Sequence, residues 1–385
     1  MNILFYLHQF PAIGGIETVT ATLANYFTSQ GHDVTIVSLK GKTNARETVA
    51  LDSRVCALQA PEESHYSKAN RDFLQKMILA RNIDIVIFQD TYSRVEANLF
   101  SGDVKAAVIV VEHSCPFYMF WHHIPTKRPI VAKILGWMRP VLMSRRMAKE
   151  KARKRFLYEK STRYVLLSDR FFGEFRAMTH LWDTRKLRAI PNPVLPSAFL
   201  PQREKKNEIV FASSLNWDKG LQRVLPIWKE IAVQRPDWRF TVVGDGEMMA
   251  WARKYIADNH VAHVSLEGYR TNCAEYFARA KILVYPSSRD GWGLILVEAM
   301  ANGCVPIAFD SYAAVRDIID DGQNGMLVPA YDIEAFGSSL KAIMCDASRL
   351  TGMSAAAKKK AEKFAVEKVG ACWDELLEEI LETCK

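Results

Sequence analysis

The chain has 385 residues, 49% of them apolar and 24% charged, and a formal net charge of +8. Such a composition is that of a globular protein, long enough for two domains and for a core that needs no disulfide staples. Seven cysteines scattered singly argue against a disulfide framework or a short-spaced zinc site and for a reducing cytoplasm, and no uncharged apolar run reaches the roughly 18 residues of a membrane span.

Residues 2–7 read as a buried strand; no basic residue precedes them, so they do not read as a secretory leader. A loop with Gly14, Gly15 and Glu17 follows, then a helix to about Ser29 and a second strand over 34–39. This is a βαβ unit of a parallel sheet. The glycine pair is either a plain turn or a close-approach loop that holds a phosphate or lets two domains close tightly. It is not G-x-G-x-x-G, so the dinucleotide fingerprint is absent. Further strands are expected over 83–89 and 107–111, the second running into Glu112-His113-Ser114. A lone histidine is usually structural, but His113 follows an apolar strand at its carboxyl end, where α/β sheets carry their sites.

The segment 115–160 is unusual. Aromatics come first (Phe117, Tyr118, Phe120, Trp121, Trp137), then twelve bases opposed only by Glu150 and Glu159. Three readings compete: a solvated helix face, a nucleic-acid surface without a recognition motif, or contact of 117–160 with an anionic membrane surface. The third also suits a polyprenyl-diphosphate acceptor, and nucleic acid is the least favoured.

Residues 164–167 read as the last strand of the first domain. Prolines and charges over 190–207 read as a linker. The second domain opens with a strand over 209–212, a loop ending in Lys219-Gly220, and a helix. Strands over 239–243 and 264–266 follow, the first ending in a Gly-Asp-Gly turn and the second leading into Tyr269 and Arg270.

The stretch 281–310 is the most informative. It predicts a strand over 282–285, a Pro-Ser-Ser-Arg-Asp-Gly loop, a helix over 294–302 stopped by Gly303, and a strand over 305–309. Gly291 and Gly293 let backbone amides approach a ligand closely, and a helix entrance is a ready anion site. Asp290 stands at its mouth and Glu298 about one turn inside. Taken singly these are a surface acid and an ordinary helix glutamate. Together they suit a diphosphate flanked by the hydroxyls of a sugar and a ribose. Helices over 332–344 and 355–383 complete the chain, the last with apolar residues at helical spacing. No D-x-D, metal-ligand spacing or G-x-S-x-G occurs.

Asp290-Gly291-Trp292-Gly293-Leu294 with Glu298 eight positions after Asp290, and the downstream text to Asn324-Gly325-Met326-Leu327-Val328-Pro329, resemble the signature of the retaining glycosyltransferases of family 4, in particular those that build capsules, lipopolysaccharides and lipid-linked glycans. The resemblance implies an α/β protein of the GT-B fold: two Rossmann-like domains facing across a cleft, with a C-terminal helix crossing back. It places an acceptor-binding domain at 1–190 with the helix at about 365–385, a linker at 191–206, and a nucleotide-sugar domain at 207–364.

It further implies roles. Lys219 and the Gly291 to Leu294 loop, Trp292 included, would hold the donor diphosphate, and Glu298 the ribose. Asp290 and His113 would hold the sugar, Gly14 and Gly15 would border phosphates and acceptor, and Tyr269 and Arg270 would meet the base. Asn192 matches the hinge element. No metal and no cofactor are expected beyond a nucleotide-sugar donor, UDP-linked by preference. The acceptor would be a glycan or polyprenyl-diphosphate-linked precursor, and the location cytoplasmic, on the inner face of the membrane. Two departures stand out. Asp290 is one methylene shorter than the family's glutamate, and Ser214 stands where the family has an arginine, leaving Arg270 or Arg289 to replace it. They keep open a GT-B sugar-nucleotide-binding protein without turnover, with a sugar-nucleotide epimerase as a further alternative.

Overall fold

The computed structural model describes residues 1–12, 14–41, 49–102, 104–117, 129–201 and 203–383, with 129–143 and 196 described by their backbone alone. The chain forms two compact units, Met1–Pro191 with Cys372–Lys385, and Asn192–Ala371.

The first unit runs β1 (Asn2–Gln9), α1 (Gly15–Ser29), β2 (Asp33–Lys40), β3 (Cys56–Gln59), α2 (Lys68–Ala80), β4 (Ile85–Phe88), α3 (Glu96–Phe100), β5 (Ala107–Glu112), α4 (Pro129–Lys160), β6 (Arg163–Leu166), α5 (Phe171–Thr179) and β7 (Leu187–Ala189). All seven strands are parallel, in the order β3-β2-β1-β4-β5-β6-β7. Runs such as Ile3 to Leu7 and Ile85 to Phe88 are buried throughout, as strands covered on both faces must be.

The second unit runs β8 (Lys206–Ala212), α6 (Leu221–Gln234), β9 (Arg239–Val243), α7 (Met249–Asp258), β10 (Val264–Gly268), α8 (Cys273–Arg279), β11 (Ala280–Tyr285), α9 (Leu294–Ala301), β12 (Val305–Asp310), α10 (Val315–Ile318), β13 (Met326–Pro329), α11 (Ile333–Cys345), α12 (Ala347–Ala361) and, passing into the first unit, α13 (Val366–Thr383). Its six strands are also parallel, in the order β10-β9-β8-β11-β12-β13. In each sheet the winding reverses once, between β1 and β4 and between β8 and β11.

Three readings of the sequence need correction. Residues 164–167 are not the last strand of the first sheet, because β7 lies beyond β6, and β3 forms the opposite edge. Both are short, and β3 alternates partly buried with exposed residues, so neither carries the apolar run that marks the central strands. The helix expected over 355–383 is broken into α12, a 3-10 turn at Glu362–Phe364 and α13. Val194 meets the chain at the break: its N–H donates to the Phe364 carbonyl at 2.8 Å and it forms a bridge with Ala365. Beyond the break, Cys372–Lys385 belongs to the first unit. Trp373 packs edge-on to Phe27 at 6.3 Å, Tyr26 donates to Asp374 at 2.6 Å, and Glu379 accepts from Arg163 and Arg188.

The third concerns the aromatic and basic segment. Residues 118–128, with Tyr118, Phe120 and Trp121, lie outside the described residues, as do the side chains of Lys133, Trp137 and Arg139. The rest of α4 is not one solvated face. Glu150, Lys154 and Leu157 recur at helical spacing and are buried. Lys154 donates to Glu112, itself buried and accepting from Tyr164 at 2.7 Å; Arg153 clamps Glu96. Of the eight bases whose side chains are described, Lys154 and Arg153 therefore serve the core. The opposite stripe, with Arg145, Lys149, Ala152 and Phe156, is exposed.

Removing one member of a buried pair strands the other charge, at a cost of about 3–5 kcal/mol. Lys154→Met is expected to lower the urea midpoint accordingly, and adding Glu112→Gln to recover most of the loss. Equal midpoints for the single and double variants would contradict the pairing.

Candidate active site

The reversal between β8 and β11 places the loops that follow these strands side by side at the carboxyl edge of the second sheet. Such crevices are where open α/β sheets bind ligands. Residues 213–220 form the first loop. Asn216 caps its 3-10 turn, accepting from the N–H groups of Asp218 at 3.1 Å and Lys219 at 3.2 Å, and so fixes the base of the Lys219 side chain. Gly220 has φ +86°, and a Cβ there would lie 2.2 Å from the Pro286 carbonyl oxygen. Only glycine allows the two loops to meet this closely. Ser288 N–H and Oγ both donate to the Asp218 carbonyl, at 2.8 and 2.9 Å, and Arg289 pairs with the Asp218 carboxylate at 2.6 Å.

Across this seam Lys219 Nζ reaches Asp290 Oδ2 at 2.6 Å and the Tyr285 hydroxyl at 3.4 Å. The Tyr285 hydroxyl donates to the same Asp290 oxygen, while the Gly291 N–H donates to Oδ1 at 2.8 Å. Burial pushes the Asp290 carboxyl up, but Lys219, Tyr285 and Gly291 outweigh it and hold the group below the usual carboxylate range. Tyr285 is raised well above an ordinary phenol by burial and the adjacent carboxylate. Gly293, at φ +93°, caps α9; a Cβ there would meet the Tyr312 hydroxyl oxygen at 2.6 Å. Tyr312 in turn donates to the Trp292 carbonyl at 3.1 Å and braces the entrance.

Trp292 is 3% exposed, with its ring edge-on to Phe364 at 5.3 Å. It anchors the loop, and what it offers a ligand is backbone. Leu294 opens α9, and Glu298 lies one turn in, partly buried. The Glu298 carboxylate has no hydrogen-bond or ionic partner among the described residues, and burial alone pushes it up to about 7. Tyr269 and Arg270 follow the edge strand β10, three strands from β11. Arg270 is exposed, donating to Tyr276 at 3.2 Å and pairing with Glu267 at 3.5 Å. Of the two arginines considered as replacements at Ser214, Arg289 lies in the Lys219 seam and Arg270 does not. Ser214 accepts a bond from Asn216 at 3.2 Å.

Gly14, Gly15 and His113 belong to the first unit. The glycines follow β1, with Gly15 opening α1; His113 follows β5 and bonds through Nε2 to Gln89, the residue after β4. Asp90 is buried beside Gln89 and accepts from the N–H groups of Tyr92 and Ser93. His8 stacks on His65 at 5.2 Å, and burial lowers its pKa. Sequence reasoning passed over Gln89, Asp90, Asp218, Tyr285 and Tyr312. Their only sign was position, within a few residues of the carboxyl end of a strand or in the loop that follows. Among the described residues no group of three or more His, Cys, Asp or Glu could hold a metal ion.

Comparison with known proteins gives two family matches that together run almost the length of the chain: Glycosyltransferase Family 4 over residues 13–197 and Glycosyl transferases group 1 over 197–361. The amylovoran biosynthesis glycosyltransferase AmsD of Erwinia amylovora is 22% identical over 94% of this chain and 96% of its own. An exopolysaccharide phosphotransferase of Streptomyces coelicolor is 30% identical, but over 51% of this chain and only 21% of that protein. Among solved structures, S. aureus TarM, crystallised with fondaparinux, α-GlcNAc-glycerol and UDP, superposes with a TM-score of 0.76 at 14% identity, covering 98% of this chain and 99% of TarM, a likeness of fold.

The unpartnered Glu298 yields a prediction about stability. An unfolded glutamate releases its proton near pH 4.5, whereas the folded one keeps it to about 7. The group therefore favours folding at low pH, and that benefit is lost as the pH rises through 7. Glu298→Gln is expected to stabilise the protein at pH 8 by about 1–3 kcal/mol, its partial exposure trimming the full effect. The gain should fade toward pH 5 in thermal melts. A constant offset across that range would show that burial does not govern this carboxyl.

Proposed function

This chain is a GT-B glycosyltransferase of the family 4 type, and from that premise we propose that it moves a hexose or N-acetylhexosamine from a nucleoside diphosphate sugar to a lipid-linked or surface-polysaccharide precursor. The observation that carries the reading is the seam between the β8 and β11 loops, which sets a cation, an acid and a helix entrance side by side. A diphosphate at that entrance would meet Lys219 and the amides of Gly291 to Leu294. Glu298, an acceptor with no partner of its own among the described residues, suits the paired hydroxyls of a ribose. Asp290 suits a hydroxyl of the donor sugar. Tyr269 and Arg270, three strands away at about 5 Å per strand, lie at a distance suited to the base of an extended nucleotide. The UDP bound by TarM supports a uridine donor, and the kinship with AmsD supports a polysaccharide precursor as acceptor. For His113, contact with the transferred sugar is proposed, and for Gly14 and Gly15 a place beside the acceptor.

The proposed course is retention without a metal. The leaving diphosphate takes the acceptor's proton on the face it departs from. The protein then contributes positioning and stabilisation of the leaving charge, which are strong effects in a preorganised site. A second reading, a sugar-nucleotide binder without turnover, draws on Ser214: no cation stands there, and Arg289 is engaged with Asp218.

Loss of a charge-assisted bond costs about 1.5–3 kcal/mol, so Lys219→Ala is expected to weaken UDP binding by roughly ten- to a hundredfold. Glu298→Ala should raise the dissociation constant of the donor. Calorimetric titration of UDP-, GDP- and ADP-sugars reads both, and unchanged affinities would remove these residues from the donor site. Donor hydrolysis without acceptor separates the enzyme from the binder.

A peripheral place on the inner face of a membrane is proposed from the outer stripe of α4, where Phe156 (37% exposed) stands among Arg145, Lys149 and Lys160. No helix among the described residues is long and apolar enough to cross a membrane. The protein should sediment with vesicles rich in anionic lipid and not with neutral ones. Sedimentation that is indifferent to lipid charge would count against it.

A further inference from the structure

Lys219 has one ammonium group and two claims on it. In the structure it is taken by Asp290, at 2.6 Å, with each side chain about four-fifths buried. Donor binding, on the reading above, requires the same ammonium for a diphosphate. The carboxylate is not free to swing away unaided, because Tyr285 and the Gly291 N–H grip its two oxygens. Tyr285 is 3% exposed, and its ring also lies beneath the ammonium, 5.7 Å from Nζ. The phenol thus positions both partners of the pair.

We infer that Asp290 and the diphosphate compete for Lys219, with Tyr285 as the positioning residue that holds the acid in contention. An intact donor brings hydroxyls that can replace Lys219 as donors to Asp290, so it meets the competition with new bonds. A free nucleoside diphosphate brings none and must displace the acid uncompensated. The arrangement therefore favours sugar nucleotide over spent nucleotide. Once the sugar has been transferred, Asp290 reclaims the ammonium and hastens product departure. No bond is made or broken beyond those of the transfer itself. The inference rests on the proposed donor site.

A double-mutant cycle tests it, with UDP and UDP-sugar affinities measured by calorimetry on the full chain. Asp290→Asn should tighten free UDP by roughly three- to tenfold, the range expected for removing a partly buried ionic competitor. It should not tighten the intact donor to the same degree. In a Lys219→Ala background the same Asp290→Asn change should give little or no gain. Mere repulsion between the carboxylate and the phosphates would instead give the same gain in both backgrounds, and that result would overturn the competition. Tyr285→Phe should shift the ratio of UDP to UDP-sugar affinity in the same direction by a smaller factor; an unchanged ratio would remove the phenol from the scheme. If UDP, GDP and ADP and their sugars all fail to bind the unaltered protein, the donor site itself falls, which is a different outcome from an additive cycle.

Discussion

Between β8 and β11 the winding of the second sheet reverses, and the rest of the site depends on that reversal. Two loops that leave neighbouring strands toward opposite faces must pass each other at the carboxyl edge. Here they pass so closely that Gly220 lies against the Pro286 carbonyl, where any Cβ would collide. The contact sets the register of everything beyond it. Asn216 aims Lys219 from one side, Tyr285 and Gly291 hold Asp290 from the other, and Asp218 with Arg289 and Ser288 closes the seam. A pair as short as Lys219–Asp290 needs both side chains delivered to one point, and the backbone approach delivers them.

How much of this was legible follows from what a one-dimensional pattern can carry. The central strands were readable because covered strands are continuous apolar runs, and α9 was readable because glycines bracket it. The residue spacing of Asp290 and Glu298 survives translation into three dimensions because a short loop and one helical turn lie between them. Tyr285 was read only as the end of a strand, since nothing local distinguishes a phenol that turns to a carboxylate from one that packs in the core. The pairing of Asp218 with Arg289 spans two loops and has no signature in either. The break before α13 was hidden for a similar reason: no glycine or proline marks it, and the contacts made there come from Val194, far away in sequence.

Charge was the least legible property. The run of bases before residue 160 looks uniform in the sequence, yet Lys154 and Arg153 are drawn inward by Glu112 and Glu96 while Arg145 and Lys149 stay outside. The buried acids come from β5 and α3, far from α4 in sequence, so composition alone cannot sort the bases. The same sorting tells Asp290 from Glu298. One acid is matched by a cation and a phenol; the other is left unmatched among the described residues, and burial raises its pKa in return. An unmatched acid is a cost to the fold that a ligand hydroxyl would offset.

The division of the chain has a consequence for how it is made. The first unit includes Cys372–Lys385, so one of the rings packed on Phe27, that of Trp373, leaves the ribosome only after the whole second unit. Nascent chains usually complete their domains from the N-terminus onward. Here the order is inverted at the finish: residues 192–371 are all available for folding while the surface awaiting Trp373 is still open. Until translation reaches α13, Phe27 lacks its contact with Trp373, and the first unit is completed only when that helix docks.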